Sequence, residues 1–177
     1  ISNPNGLMMA QQEDKTITIS TSGGTIAMSD FSSWGPLPSL ELKPEITAPG
    51  GDIYSSLPFG QYGYMSGTSM ASPYMAGTSA SALQYVKKMF PGLTATEQRA
   101  LVNQLLMSTA DIVYDDNGVA YSPRKQGSGL VDLSAAINTP AYIYVKGSDK
   151  TKLSLGDDKK KTGVYDLAFQ VKNITAA

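Results

Sequence analysis

The longest regular pattern in this 177-residue sequence is helical and runs from Thr68 to about Phe90. Leu83, Val86 and Phe90 recur on one side of the helix, as expected for a helix packed on a core. The first half is built from small residues, namely Ala71, Ala76, Gly77, Ala80 and Ala82. Small side chains let neighbouring elements approach closely, so we expect this helix to lie at the centre of the fold. A surface helix with a weak apolar face is the alternative.

Pro73 determines where this helix begins. Proline has no N–H group to donate, which is tolerated only in the first turn, where such donors have no partner within the helix. The helix therefore begins within a residue or so of Ser69. A serine there is most often only an N-cap. That interpretation leaves Gly67 unexplained, because a glycine two residues ahead of the serine allows a tight backbone approach there.

Ser69 is therefore also a candidate nucleophile. Its hydroxyl group would lie where the partial positive charge of the helix accumulates, and its own N–H group is a candidate hydrogen-bond donor to an oxyanion. The chain contains no histidine, so the usual base for a serine nucleophile is missing.

Several local signals define the elements that follow the first helix. Pro91-Gly92 ends that helix, and Thr94 with Glu97 forms a capping box for a second one. Asp116-Asn117-Gly118 predicts a turn, and its spacing does not fit a calcium loop. Asp132 predicts the N-cap of a short helix that ends near residue 137.

Short β-like patterns occur on both sides of the long helix. They lie around Ile46 and around Ile53-Tyr54, and are separated by Pro49-Gly50-Gly51, a break that is typical of a site loop. An early strand, TITIS, is predicted over 16–20. Beyond Pro140 the sequence predicts three strands, YIYV, KLSL and VYDLAFQV. The composition therefore changes at Pro140, which we interpret as a domain boundary.

Composition excludes several classes of function. A net charge of −1 gives no field that would attract nucleic acid or an anionic membrane. The absence of cysteine excludes disulfides and thiolate metal sites. No apolar run approaches the roughly 18 residues that span a bilayer. We expect neither a metal site nor a cofactor in this chain, and its abrupt ends suggest a fragment.

Four segments carry a resemblance to a known family. Gly67 to Pro73 (GTSMASP) resembles the serine motif of the subtilisin-like (subtilase, S8) serine peptidases. FSSWGP at 31–36, KPEITAPG at 43–50 and QGSGLV at 126–131 are similar to further motifs of that family, in the same order. The resemblance covers about Ala27 to Thr139, the carboxyl-terminal part of a subtilase catalytic domain.

The flanking segments are similar to one branch of the family, the lactocepin and C5a-peptidase group of cell-envelope subtilases. Residues 1–24 resemble the end of an inserted protease-associated (PA) domain, and residues 25–139 the catalytic part. Residues 140–177 resemble the start of a fibronectin type III-like domain. The implied fold is α/β: half of a three-layer fold, with a mainly parallel sheet and a central helix that starts at the nucleophile, followed by the first strands of a β-sandwich.

The resemblance implies peptide-bond hydrolysis through an acyl-enzyme on Ser69. Of the family's Asp, His and Ser triad only the serine is present, so this chain alone is expected to be inactive and to need the upstream half of its domain. Met65 and Gly67 are implied to border the substrate. Asp30, Glu41 and Asp52 are interpreted as structural or solvated.

The expected partners are protein or peptide substrates, and the expected location is extracellular or attached to a bacterial cell wall. Calcium is left open for the intact enzyme. The alternative is a non-catalytic scaffold, interaction fragment or pseudoprotease.

Overall fold

The computed structural model describes residues 26–153, 155 and 158–175. The predicted strand at 16–20 and the proposed PA-domain end at 1–24 lie outside these residues. In chain order the elements are β1 (Ile53–Leu57), β2 (Gln61–Met65), α1 (Thr68–Met89), α2 (Ala95–Ser108), α3 (Pro123–Gln126), α4 (Leu133–Asn138), β3 (Ala141–Val145) and β4 (Phe169–Asn173). A single 3-10 turn, Pro58–Gly60, joins β1 to β2.

Helix α1 begins and ends within about a residue of the predicted positions, whereas Pro73 is its sixth residue, beyond the first turn in which the prediction placed it. Val86 and Ala82 are fully buried, and Leu83 and Phe90 pack against the same cluster. The face predicted from the spacing of Leu83, Val86 and Phe90 is therefore the face that packs on the core.

Helix α2 begins at the predicted capping box. The Thr94 hydroxyl accepts from the Glu97 N–H at 3.3 Å, and the Glu97 carboxylate accepts from the Thr94 N–H at 2.8 Å. These reciprocal bonds satisfy donors that the helix itself leaves unpaired. Leu105 and Leu106 of this helix, with Val86 of α1, are the largest fully buried side chains. Helix α4 also begins as predicted, since Asp132 accepts from the Ala135 N–H at 2.8 Å.

The small-residue half of α1 differs from the prediction of a packed centre. Ala76, Gly77 and Ala80 are exposed, and the buried residues of the helix are Thr78, Ala82 and Val86. The reason is that no described element packs on that side of the helix.

The strands were predicted only in part. The run at Ile53-Tyr54 is strand β1, whereas its partner β2 was not predicted, because its pattern runs directly into the glycine-serine motif. β3 agrees with the predicted YIYV run, and the end of the VYDLAFQV run forms the first three residues of β4. The described positions of 152–155 form no strand and 164–168 is irregular, so the KLSL prediction is wrong and the VYDLAFQV prediction holds only for its last three residues. Alternation alone does not make a strand where no neighbouring strand supplies hydrogen bonds.

The described residues combine helices with two antiparallel two-stranded sheets, β1-β2 and β3-β4. Parallel pairing among the described residues is limited to one isolated bridge outside both sheets, between Thr47 and Leu130. The α/β class is therefore supported, whereas a mainly parallel sheet and a β-sandwich stay predictions. Over the described part of the chain, no helix combines the length and the apolar character needed to cross a membrane.

Candidate active site

Four separated segments of the sequence form one continuous unit. Segment 43–50 lies beside 126–131, since the Thr47 N–H donates to Gly129 O and the Val131 N–H donates to Thr47 O, at 2.8 and 2.9 Å. Segment 31–36 joins them through Gly35, whose N–H donates to Arg124 O at 2.8 Å. The fourth segment, 67–73, rests on the end of 43–50.

The contact between the last two segments is made by two glycines. The Gly67 N–H donates to Gly50 O at 2.8 Å. A Cβ atom on Gly50 would lie 2.8 Å from the Gly67 carbonyl oxygen and 3.1 Å from the Ala71 Cβ, so no side chain fits there without a shift. Gly67 has φ 156°, a conformation that favours glycine. The predicted tight approach before Ser69 is therefore present, and Gly50 is its other half.

Ser69 is the second residue of α1 and is exposed to solvent. The N-cap is Gly67, which makes no side-chain cap, and its carbonyl accepts the Met70 N–H at 3.0 Å. Ser69 therefore is not the N-cap of this helix. Among the described residues, none forms a hydrogen bond with the Ser69 hydroxyl or with its N–H group. Ser69 thus lies exposed at the positive end of the helix dipole.

Met65, the second predicted substrate-contacting residue, is the last residue of β2 and is 49% exposed. It pairs with Ile53 across the hairpin. Met65 lines a groove of about 330 Å³ between the hairpin and the first turns of α1, together with Met70, Pro73 and Tyr74. The groove is apolar and lies beside the residue that follows Ser69.

Asp52 and Ser66 form a pair at the base of the β1-β2 hairpin, close in sequence to both glycines. The Asp52 N–H donates to Ser66 Oγ at 2.8 Å, and the Ser66 hydroxyl donates to Asp52 Oδ1 at 3.1 Å. Sequence reasoning interpreted Asp52 as structural or solvated and missed this pair. The signal that could have found it is the hairpin register, which places the two residues opposite each other.

The described residues place no general base at Ser69. A catalytic base benefits from a pKa near the operating pH, whereas the shifted carboxyl groups, Glu41, Glu45, Glu97 and Asp158, all have their pKa lowered by hydrogen bonds. The lysines of α1, Lys87 and Lys88, follow Ser69 by at least 18 helical positions, about 27 Å at 1.5 Å per residue. In the described ranges no three acidic residues lie close enough to share a metal ion.

The family model of the subtilases (Peptidase_S8, Subtilase family) matches residues 3–129. The chain therefore belongs to the subtilase family.

Two relatives illustrate the similarity. The C5a peptidase of Streptococcus pyogenes serotype M1 is 37% identical over 181 residues, which cover 98% of this chain and 15% of that protein. The PII-type proteinase of Lactococcus lactis subsp. cremoris is 43% identical over 120 residues, or 63% of this chain and 6% of that proteinase. Among solved structures, the CspB protease of Clostridium perfringens is 27% identical with a TM-score of 0.49, over 62% of this chain and 23% of that one. The chain thus spans only a small part of the relatives that it matches.

Proposed function

We propose that this chain carries the nucleophile of a serine endopeptidase, and that Ser69 is that nucleophile. The observation that carries the proposal is the exposed position of Ser69 two residues after the Gly67 N-cap, with its hydroxyl and N–H groups unpaired among the described residues. The proposed reaction is acyl transfer from a peptide bond to Ser69, followed by hydrolysis.

In this mechanism the Ser69 Oγ attacks the carbonyl carbon of the scissile peptide bond while a base accepts the hydroxyl proton. The negative charge that develops on the carbonyl oxygen is stabilised by the Ser69 N–H, a donor for which no acceptor among the described residues competes. The base returns the proton to the leaving amine as the C–N bond breaks. Water then hydrolyses the ester by the same steps.

The base is proposed to come from outside this chain. The sequence has no histidine, and no described side chain forms a hydrogen bond with the Ser69 hydroxyl. A histidine, its orienting aspartate and a side-chain oxyanion donor would be supplied by the upstream half of the catalytic domain. This chain alone is therefore expected to lack activity.

Gly67 and Met65 are proposed to border the substrate. Gly67 is the residue whose peptide leads into the first turn, and a side chain there would stand between the substrate and Ser69. Met65 is half-exposed at the mouth of the groove beside Met70. We propose that Met65 contacts the leaving-group side of a protein or peptide substrate.

The segment after Pro140 is proposed to begin a fibronectin type III-like β-sandwich. Ile143 and Val145 pair with Val171 and Phe169, so these four apolar side chains share one face of the β3-β4 sheet. Ile143, Phe169 and Val171 are 46, 59 and 63% exposed. An apolar sheet face of this kind is expected to be covered by a second sheet. We further propose an end of a PA domain at 1–24 and an extracellular or cell-wall location.

The test is covalent labelling of the intact protein with a fluorophosphonate probe, followed by peptide mapping. We expect labelling on Ser69, and we expect the Ser69→Ala variant neither to label nor to cleave peptides. Ser72→Ala is the matched control, because Ser72 is an exposed serine of the same helix one turn later. It should label normally.

Two outcomes would contradict the proposal. If Ser69→Ala cleaves peptides as fast as the unsubstituted protein, the nucleophile lies elsewhere or the protein is a non-catalytic scaffold. If the isolated 177-residue chain labels as fast as the intact protein, the base is not supplied from outside the chain.

A further inference from the structure

The β1-β2 hairpin changes register at its end nearest Ser69. Its regular ladder ends at Ile53 and Met65. Continued in step, the ladder would place Asp52 opposite Ser66 and the next residue, Gly51, opposite Gly67. Instead the Gly67 N–H donates to Gly50 O, one residue out of step. The segment that leads into β1 therefore has one residue more than the facing segment that follows β2, as in a β-bulge.

The Asp52–Ser66 pair lies where this shift occurs. The Ser66 hydroxyl takes the place of a ladder carbonyl, because it accepts the Asp52 N–H at 2.8 Å. It also donates to Asp52 Oδ1, so the two residues are joined by two hydrogen bonds. Asp52 has φ 50°, a left-handed conformation that Asp, Asn and Gly adopt more readily than other residues. We call these two residues the Asp52–Ser66 clasp.

The clasp is followed directly by the contacts that position the nucleophile. One residue beyond Ser66, the Gly67 N–H is held by Gly50 O, and the Gly67 carbonyl accepts the Met70 N–H. Ser69 lies between these anchored peptides and has no protein partner of its own among the described residues. Its orientation therefore depends on the backbone at Gly67, and the clasp limits how that backbone can rotate.

From this geometry we infer that Asp52 is a positioning residue for Ser69 and acts through the Ser66 hydroxyl. The inference rests on the proposed role of Ser69 as nucleophile. Asp52 does this as a hydrogen-bond acceptor in a left-handed conformation, and its charge is not required. The clasp is exposed, so its loss should change the alignment of the nucleophile more than the stability of the fold.

Four variants of the intact protein distinguish the role of the Asp52 side-chain acceptor from that of the left-handed backbone at residue 52. Asp52→Gly keeps the left-handed conformation and removes the acceptor, whereas Asp52→Asn keeps both. Ser66→Ala removes the other half of the clasp, and the fourth variant combines Asp52→Gly with Ser66→Ala. Ser134→Ala is the matched control, an exposed serine of α4 outside both the clasp and the groove that Met65 lines.

The readouts are kcat and KM for one peptide substrate and the rate of fluorophosphonate labelling. We expect Asp52→Gly and Ser66→Ala each to lower kcat and the labelling rate about threefold to tenfold, with KM changed less than about twofold, as for the loss of one hydrogen bond that aligns a reacting group. The double variant should be no slower than Ser66→Ala, because that substitution already removes both hydrogen bonds of the clasp, whereas Asp52→Gly keeps the one donated by the backbone. Asp52→Asn and Ser134→Ala should behave as the unsubstituted protein.

Three results would overturn the inference. One is an Asp52→Asn variant as slow as Asp52→Gly, which would mean that the carboxylate charge is needed. Another is additive losses in the double variant, since the two residues would then act separately. The third is no change in kcat for Asp52→Gly and Ser66→Ala while Ser69→Ala is inactive, which would leave the nucleophile established and the clasp without a role. Activity in Ser69→Ala would instead contradict the proposed function itself.

Discussion

The backbone around Ser69 and the segment after Pro140 are held in different ways. Around Ser69 the contacts join main-chain atoms, and Gly50 lies so close to Gly67 and Ala71 that a Cβ atom does not fit. After Pro140, Tyr142 packs into the hydrophobic core, and the hydrogen bonds and ion pairs with the rest of the chain are made by polar side chains. Ser108 pairs with the Ile143 backbone, and Lys152 donates to Glu41 and Glu45.

The difference concerns how precisely each region can be positioned. Backbone atoms in van der Waals contact have little room to adjust, which suits a site where reacting atoms must be aligned. Exposed side-chain contacts are individually weak and allow rearrangement. We therefore expect substitutions in the first region to affect activity strongly, and those in the second region to affect local stability modestly.

The largest effect is expected from Gly50→Ala. The new Cβ would lie 2.8 Å from the Gly67 carbonyl oxygen, and relief of such overpacking costs about 1–3 kcal/mol or shifts the backbone. Because Gly67 leads into the first turn, we expect fluorophosphonate labelling of Ser69 in the intact protein to fall at least about tenfold.

Gly77→Ala is its matched control. Gly77 lies in α1 with nothing within 4 Å of the position of a new Cβ, and alanine favours helix over glycine. We expect unchanged labelling, together with a thermal midpoint at or above that of the unsubstituted protein. Equal loss of labelling in both glycine variants would contradict the close contact at Gly50.

An intermediate effect is expected from Ser108→Ala. The Ser108 hydroxyl accepts the Ile143 N–H at 3.0 Å and also lies 3.4 Å from Ile143 O, and it joins α2 to β3. Its removal should weaken this contact by about 1 kcal/mol. We expect hydrogen exchange of the Ile143 amide to accelerate about fivefold, with peptide cleavage unchanged.

Ser81→Ala provides the comparison, because the Ser81 hydroxyl bonds to Gly77 O within its own helix. It should leave exchange at Ile143 unaffected. Unaltered exchange in Ser108→Ala as well would show that β3 is held by other contacts.

The smallest effect is expected from Lys152→Met. Lys152 Nζ lies 2.9 Å from Glu41 Oε1 and 3.1 Å from Glu45 Oε1, and both carboxylates are more than one-third exposed. Exposed ion pairs of this kind contribute roughly 0–1 kcal/mol. A double-mutant cycle of Lys152→Met with Glu41→Gln should therefore give a coupling energy below about 1 kcal/mol, and smaller still at high salt. A larger coupling energy that does not change with salt would contradict the view that the Lys152 ion pairs hold this segment only weakly.

The same ion pairs predict a pH dependence. Hydrogen bonding from Lys43, against the opposing effect of burial, holds the pKa of Glu45 below its usual 4.5, and hydrogen bonding from Lys152 lowers that of Glu41. The stabilisation by these two ionised carboxylates is fully present above their usual pKa and is lost as the pH falls through their lowered pKa values. Hydrogen bonding to Glu41 raises the pKa of Lys152 above 10.5, so its contribution is lost only as the pH rises through that higher value. The coupling energy should therefore stay constant between these limits, and a change near pH 7 would contradict this assignment.

Much of the local structure could be predicted from short-range chemistry. The Thr94 and Glu97 pair located the start of α2, and its two hydrogen bonds act within one helical turn. The start of α1 was also predicted to within a residue, although Pro73 lies further into the helix than the prediction assumed. The strand predicted over 152–155 failed because a strand depends on a partner, which alternation along one segment does not reveal.

The candidate site was predicted less completely. Gly67 and Ser69 were identified from the motif, and their positions at the N-terminus of α1 agree with the prediction. Gly50 was recognised only as part of a loop, and Asp52 was interpreted as structural or solvated, without its partner Ser66. Their contacts cross the hairpin, where Asp52 and Ser66 are 14 residues apart.

The amino-acid sequence determined where α1 and α2 begin, because a glycine and a capping hydroxyl act on their immediate neighbours. The tertiary structure decided that Gly50 supports Gly67, that Asp52 reaches Ser66, and that the small-residue side of α1 is left exposed by the described chain. Those outcomes depend on the register of a hairpin and on which element packs against which. Neither is encoded by any one short segment.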